Sequence, residues 1–350
     1  MDPVSQGVLG ALAGQAVTRR PKQLVCATFI GALAGMAPDL DILIGSSQDP
    51  LLGLVLHRQF THSLLFIPLG GLLCALLFYP LISRRFGLSF WNTFAFAAIG
   101  WGTHGLLDAC TTYGTVLLWP FSSVRVAWHC ISIIDPLLTI PAIVGAGLAC
   151  WRRDRRFAWA SLIWVSCYLC LGIVQRERAQ RFTQTLAQSR GHQIERILVS
   201  PSLGNLLVWR AVYQFEQHFY IDGIRLGLTG VSLTGGTVAQ LVPVKNLPWL
   251  APESQQAQDL KRYGWFAADY LASYPSNANK VMDVRYAGLP YEITSMWGIE
   301  FDPNAKPDQY VKRWSDRAGA RDKLRILWSL VRGDFAAVRE GKEATKVKAK

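Results

Sequence analysis

Long apolar stretches in the first 175 residues without Asp, Glu, Lys or Arg include 3–18, 23–38, 59–83, 86–107, 136–151 and 157–175. A bilayer's hydrocarbon core is about 30 Å thick and takes roughly 20 apolar residues in a helix. Residues 63–82 meet that length outright, and 90–107, 133–150 and 157–174 come close. The first two stretches are shorter and rich in Gly and Ala. Gly7, Gly10, Gly14, Gly31 and Gly35 would let such helices approach closely. The pattern predicts an α-helical polytopic membrane bundle of about six apolar helices. No basic segment precedes the first apolar run, so that run does not read as a signal peptide.

Charge then divides the chain. Residues 1–175 hold 11 of the 36 Lys+Arg and 7 of the 24 Asp+Glu. The expected organisation is a transmembrane domain over 1–175, a small α+β extracytoplasmic domain over 176–340, and a basic disordered tail over 341–350. Seven cysteines, an odd number and none of them beyond residue 175, argue against a disulfide framework. The net charge of +12 would suit a nucleic acid. No nucleic-acid motif accompanies it, and much of it sits in short loops, so no such partner is expected. The bilayer is the expected partner.

Those loops predict orientation. Arg19-Arg20-Pro21-Lys22, Arg84-Arg85 and the run of arginines at 152–156 fall on one side if the six segments cross in turn. Basic loops stay cytoplasmic. The C-terminal half then lies outside the inner (plasma) membrane, in a periplasmic or extracellular position.

The ionisable residues of the first half gather on the opposite side. They are Asp39 and Asp41, His57 and His62, His104 and Asp108, and His129 and Asp135. Such groups in membrane segments are costly and mark function. His104 and Asp108, four apart, share a helix face. Asp39 and Asp41 follow Pro38, where an extended Asp-x-Asp would aim both carboxylates the same way. Imidazole and carboxylate without thiolate suit zinc, manganese or iron, and several carboxylates would balance one or two ions. The expected ligands are Asp39, Asp41, His57, His62, His104 and Asp108, with zinc the first choice and manganese the second. Arg58 stands ready for a substrate's charge, or for Asp49 or Asp39. Thr61 would cap the third span. Asp135-Pro136 reads as a helix start, and Asp135 is equally a candidate general base. His129 and Thr112 are further candidates.

The opening Met1-Asp2-Pro3-Val4-Ser5-Gln6-Gly7, then Pro38-Asp39-Leu40-Asp41, His57-Arg58-x-x-Thr61-His62-Ser63-Leu64 and Thr103-His104-x-x-x-Asp108 resemble a known family. So do Thr112-x-Gly114, Trp119-Pro120-Phe121 and Ile134-Asp135-Pro136-Leu137. It is the membrane-bound metal-dependent hydrolases of the YdjM/YbcI/YfhO type (the DUF457 family), matched in order over residues 1–140. The resemblance implies an integral membrane protein with a hydrolytic metal site and leaves the substrate open. Many relatives have Thr-His where this chain has Ser5-Gln6; Gln6 still offers an amide. A looser similarity to zinc-dependent phospholipase C tilts the expectation toward phosphoesters.

In the second half, 176–190 reads as a polar helix leaving the membrane. Strands are expected over 194–200, 206–215, 218–225, 237–244, 281–286 and 296–301, and helices over 254–273 and 324–331. Asp283 and Arg285 suit a same-face ion pair. The whole reads as a metal-dependent hydrolase acting on a phosphoester or ester of a lipid-like or small-molecule substrate at the outer leaflet. The alternatives are a metal- or proton-coupled transporter and a non-catalytic scaffold with a structural metal.

Overall fold

A computed structural model describes residues 1–227, 230–240, 247 and 249–334. The expected tail over 341–350 and the end of the expected fourth strand, 241–244, lie outside them. The chain divides into two compact units, Met1–Ile44 with Leu56–Ile173 and Gly45–Val55 with Val174–Lys350. The second unit thus takes in 45–55 from within the first half.

The first unit is helical: α1 (Pro3–Val17), α2 (Leu24–Met36), α4 (Ile67–Leu81), α5 (Phe90–Ala109), α6 (Pro136–Arg152) and the start of α7 (Arg156–Ser189), with the short α3 (Leu52–Leu56) at a unit boundary. Among the described residues, three segments are long and apolar enough to cross a membrane: Pro21–Leu43, Leu64–Leu81 and Arg156–Ser189. The apolar α6 is shorter. α7 joins the expected last span and the expected polar helix into one rod of 34 residues, about 51 Å long.

Burial in this unit mixes sizes. Ala27, Ala34, Cys74, Ala75 and Ala97 are buried at the helix crossings, alongside Leu12, Leu24, Ile30 and Phe96. Large apolar side chains face out, among them Leu69, Leu73, Leu76 and Leu77 of α4 and Phe29 of α2. Lipid tails are as apolar as leucine, so a bundle in lipid gains from close backbone packing rather than from hiding leucines. α1, α2 and α5 meet at such a point. A Cβ on Gly10 would stand 2.3 Å from the Gly31 carbonyl oxygen, and one on Gly100 2.5 Å from that same atom. None of the seven cysteines forms a disulfide, and the Cys167-x-x-Cys170 pair lies exposed on α7.

Among the described residues, the second unit holds two antiparallel four-stranded sheets. β1 (Arg196–Pro201), β2 (Val208–Phe215), β3 (His218–Leu226) and β4 (Val231–Gln240) pair in chain order. After α8 (Gln255–Ala267), so do β5 (Leu271–Tyr274), β6 (Asn277–Asp283), β7 (Trp297–Glu300) and β8 (Lys312–Ser315). Their inner faces share one core, with Leu198, Val212, Phe219 and Ile221 from the first sheet and Ala272 and Met282 from the second. α9 (Ala320–Arg332) adds Leu327 and Leu330 to a satellite core with Val208 and Leu289.

The expected helix over 254–273 stops early because Ala268 and Asp269 turn to positive φ. That frees 271–274 for a strand. Asp283 and Arg285 do pair, with Nη2 2.7 Å from Oδ2.

Residues 45–55 are fastened within this unit. Leu51 is fully buried, and Arg262 of α8 grips both carboxylate oxygens of Asp49 at 3.1 and 2.8 Å. Burial alone would raise the Asp49 carboxyl, but the Arg262 hydrogen bonds outweigh it and hold it below the usual carboxylate range.

Candidate metal centre

Three segments of the first unit bring the His and Asp donors together. α5 supplies a stripe at helical spacing: Trp101, His104, Gly105 and Asp108, all buried. Trp101 Nε1 donates to the Thr61 carbonyl at 2.8 Å and ties the 57–63 segment down. Gly105 lets that segment approach, since a Cβ there would lie 2.2 Å from the His62 carbonyl oxygen. The Ala37–Leu43 segment after α2 supplies Asp39 and Asp41.

That segment is a 3-10 helix, not the extended strand expected from Pro38. In a helix with three residues per turn, positions two apart point to different sides. Asp39 and Asp41 therefore embrace His62 from its two nitrogens. Asp39 Oδ1 lies 3.3 Å from His62 Nε2, and Asp41 Oδ2 lies 3.3 Å from His62 Nδ1.

Donor atoms of Asp39, His62, His104 and Asp108 all lie within 4.8 Å of one another. Asp39 Oδ1 is 3.2 Å from His104 Nε2, and Asp108 Oδ2 is 3.4 and 3.5 Å from the Nε2 atoms of His62 and His104. The outer nitrogens decide what these contacts are. His104 Nδ1 faces the Gly35 carbonyl at 2.5 Å. A carbonyl only accepts, so Nδ1 carries a proton there and Nε2 is the ring nitrogen turned inward. The Thr61 hydroxyl donates to Asp41 Oδ2 at 2.8 Å and lies 2.9 Å from His62 Nδ1, which fixes His62 in the same way. Two imidazole Nε2 atoms and two carboxylate oxygens thus converge.

A cation resolves that convergence. Ligands about 2.0–2.1 Å from a tetrahedral zinc stand about 3.3–3.4 Å apart, close to the Asp–His distances of 3.2–3.5 Å here. Asp108 Oδ2 is buried and, beside its Arg58 ion pair, accepts no well-aligned hydrogen bond. The donor set therefore fits a divalent ion. Three of the four side chains are fully buried, and Asp39 is 26% exposed, which marks the open side.

A second group, Asp41, His57 and His62, meets the same proximity limit. Its contacts are those of a hydrogen-bond network. His57 Nδ1 is 2.7 Å from Asp41 Oδ1, and the Arg58 backbone N–H donates to Asp41 Oδ2 at 3.2 Å.

Arg58 is buried against Asp108, with Nε 3.0 Å from Oδ2. It does not pair with Asp39 or Asp49. Its Nη1 donates to Thr111 at 3.1 Å, and its guanidinium lies 4.5 Å over the Tyr113 ring. Its φ of 66° is left-handed, a strained state for a residue with a Cβ. Gln6 donates its amide to Asp108 Oδ1 at 2.9 Å, and the Met1 α-amino group ion-pairs with the same oxygen.

Thr61 is not a helix cap: Ser63 takes that role, accepting from the Phe66 N–H at 3.3 Å. Thr112 is buried beside Thr111, and His129, at φ 49°, stands outside both groups.

Asp135 stands outside them too. It caps α6, accepting from the N–H groups of Leu137 and Leu138, and takes the Tyr168 hydroxyl at 3.0 Å. These bonds give it a structural task in place of the expected general base. Asp135→Ala should cost about 1–2 kcal/mol for the cap and about 1–3 kcal/mol more for stranding the buried Tyr168 hydroxyl. Adding Tyr168→Phe should recover the second part in thermal unfolding, with metal content unchanged throughout.

Tyr113, Thr111, the Gly35 carbonyl and the Met1 amino group belong to the site and were not singled out from the sequence. Only the Thr-x-Gly motif at 112–114 pointed near two of them.

Comparison with known proteins agrees with this architecture. The model of the YdjM inner membrane protein family matches residues 1–179. The "Uncharacterized protein YfhP" of Bacillus subtilis (strain 168) is 26% identical over 231 residues, covering 63% of this chain and 67% of that one. The "Inner membrane protein YbcI" of Escherichia coli (strain K12) is 34% identical over 152 residues, covering 36% of this chain and 83% of that one. No solved structure matches. With its family model spanning half the chain, its apolar helices and its buried His/Asp cluster, the protein belongs to the YdjM inner membrane protein family.

Proposed function

We propose that this protein is a membrane-bound metal-dependent hydrolase that cleaves a phosphoester or ester of a lipid-like substrate at the outer leaflet of the inner membrane. Six crossings, with the basic loops inside, would put Asp39, His62, His104 and Asp108 at that leaflet and the second unit outside. The observation that carries the reading is the inward convergence of four His and Asp donor atoms, with Asp–His distances of 3.2–3.5 Å.

Zinc is the ion that best suits this donor set, and once bound it would polarise an ester oxygen and acidify a water. The chain's own residues do the rest. Asp41, engaged by Thr61, His57 and the Arg58 N–H, positions both histidines. With Nδ1 donating to Asp41, His57 keeps Nε2 free to take a proton from the attacking water. Its ring is 19% exposed, so solvent reaches it. Arg58 neutralises Asp108 and holds it in place. The exposed apolar side chains of Leu40, Ile42 and Leu43, interleaved with the two aspartates, suit a substrate that arrives from lipid.

The test is a screen of zinc- and manganese-loaded protein in detergent micelles against phosphodiester, phosphomonoester and carboxylester lipids. Turnover of one class is expected. His57→Ala should lower kcat by about 100-fold or more and leave metal content intact. A fully loaded wild type that turns over none of these classes would sink the hydrolase reading and leave the metal a structural role.

A further inference from the structure

A second polar feature lies toward the other end of α5. Ser89 caps the start of that helix and His104 follows fifteen residues later, about 22 Å along the axis. Beside Ser89 a cavity of about 600 Å³ opens between the α1–α2 connection and the first turns of α5. Arg19, Arg20, Gln23 and Asn92 line it, and no carboxylate does. Val17, Phe96 and Ile99 form an apolar wall.

Neither arginine side chain has a hydrogen-bond or ion-pair partner among the described residues. Two guanidinium groups and two side-chain amides therefore present donors to an open, carboxylate-free space. Lys22, Arg84 and Arg85 nearby in the chain are also exposed and add to the positive field. The aromatic rings of Phe86 and Trp91, 67% and 72% exposed, flank the same helix start and suit the headgroup level of a bilayer.

We infer that this cavity binds the phosphate headgroup of an anionic phospholipid from the surrounding bilayer. Arg19 and Arg20 would take the phosphate oxygens, Gln23 and Asn92 the headgroup hydroxyls, and the apolar wall the first acyl carbons. A basic pocket at the headgroup level of a helical bundle is the setting in which such lipids are held. A free phosphate would use the same donors but gain nothing from the apolar wall. The site is independent of the metal cluster and of any hydrolysis.

The experiment titrates detergent-purified full-length protein with dioctanoyl phosphatidylglycerol, dioctanoyl phosphatidylcholine or inorganic phosphate and follows thermal unfolding. The expected result is a rise of several degrees with phosphatidylglycerol alone. In Arg19→Ala/Arg20→Ala the apparent Kd should rise by roughly tenfold or more, since each basic contact with an anionic headgroup is worth about 1 kcal/mol. Arg152→Ala/Arg153→Ala removes the same charge elsewhere and should leave the shift intact. Equal loss in both double variants would reduce the effect to net charge and overturn the site. An equal shift with phosphatidylcholine would overturn the headgroup assignment. A full shift with inorganic phosphate would replace the lipid by a free anion.

Discussion

Purified His104→Ala should retain no stoichiometric zinc, with affinity for the ion down by at least about 100-fold. Loss of an outer hydrogen-bond partner typically costs 10–100-fold, and His104 gives Nε2 itself. Because His104 is fully buried, the alanine also leaves a void. Asp39→Asn serves as the second variant. It keeps the side chain's shape at the open side of the cluster and removes only the charge. Both should lose metal by elemental analysis at a buffered free-zinc concentration, while far-ultraviolet circular dichroism stays unchanged. Undiminished metal in both would end the ligand assignment of Asp39, His62, His104 and Asp108.

The second large effect should come from a residue with no side chain. Gly105→Ala would put a Cβ 2.2 Å from the His62 carbonyl oxygen, and that oxygen is backbone with little room to move. By helix propensity alone the change should help by up to about 1 kcal/mol. The clash instead favours a shift of α5 away from the 57–63 segment, at a cost of about 1–3 kcal/mol. Such a shift parts His104 and Asp108 from His62. We expect lower thermal stability and a loss of metal together. Gly102→Ala on the same helix meets nothing nearer than Ile67 Cδ1 at 3.5 Å. It should be neutral or mildly stabilising. Equal behaviour of the two variants would mean that the close approach does not hold the site.

The contrast between these glycines shows what a sequence carries and what it hides. The His104–Asp108 pair was legible because an i, i+4 spacing fixes a shared face whatever surrounds it. The membrane character was legible from charge-free length. The stance of Asp39 and Asp41 was not. Pro38 does not dictate the residues after it, and a 3-10 turn sends the two carboxylates to opposite edges of His62.

Thr61 looked like a cap because it precedes an apolar run, yet Ser63 does the same and wins the turn. Thr61 then serves Asp41. The Gly35 carbonyl and the Met1 amino group reach the site only through tertiary packing, 69 and 107 positions from their partners. No local pattern could announce them. Asp49 was weighed against Arg58, but its partner is Arg262, more than two hundred residues away.

The outward-facing leucines of the helical unit have a practical consequence. Its helix crossings rest on glycine and alanine, while Leu69, Leu73, Leu76 and Leu77 of α4 stand on the outside. The shell that meets lipid and the scaffold that carries the His/Asp cluster are therefore separable sets of residues. Rewriting Leu69, Leu73, Leu76 and Leu77 as Glu, Lys and Gln touches no metal donor and no glycine crossing. An amphiphile-free version of the bundle is thus a matter of repainting its exterior, with its chemistry left where it is.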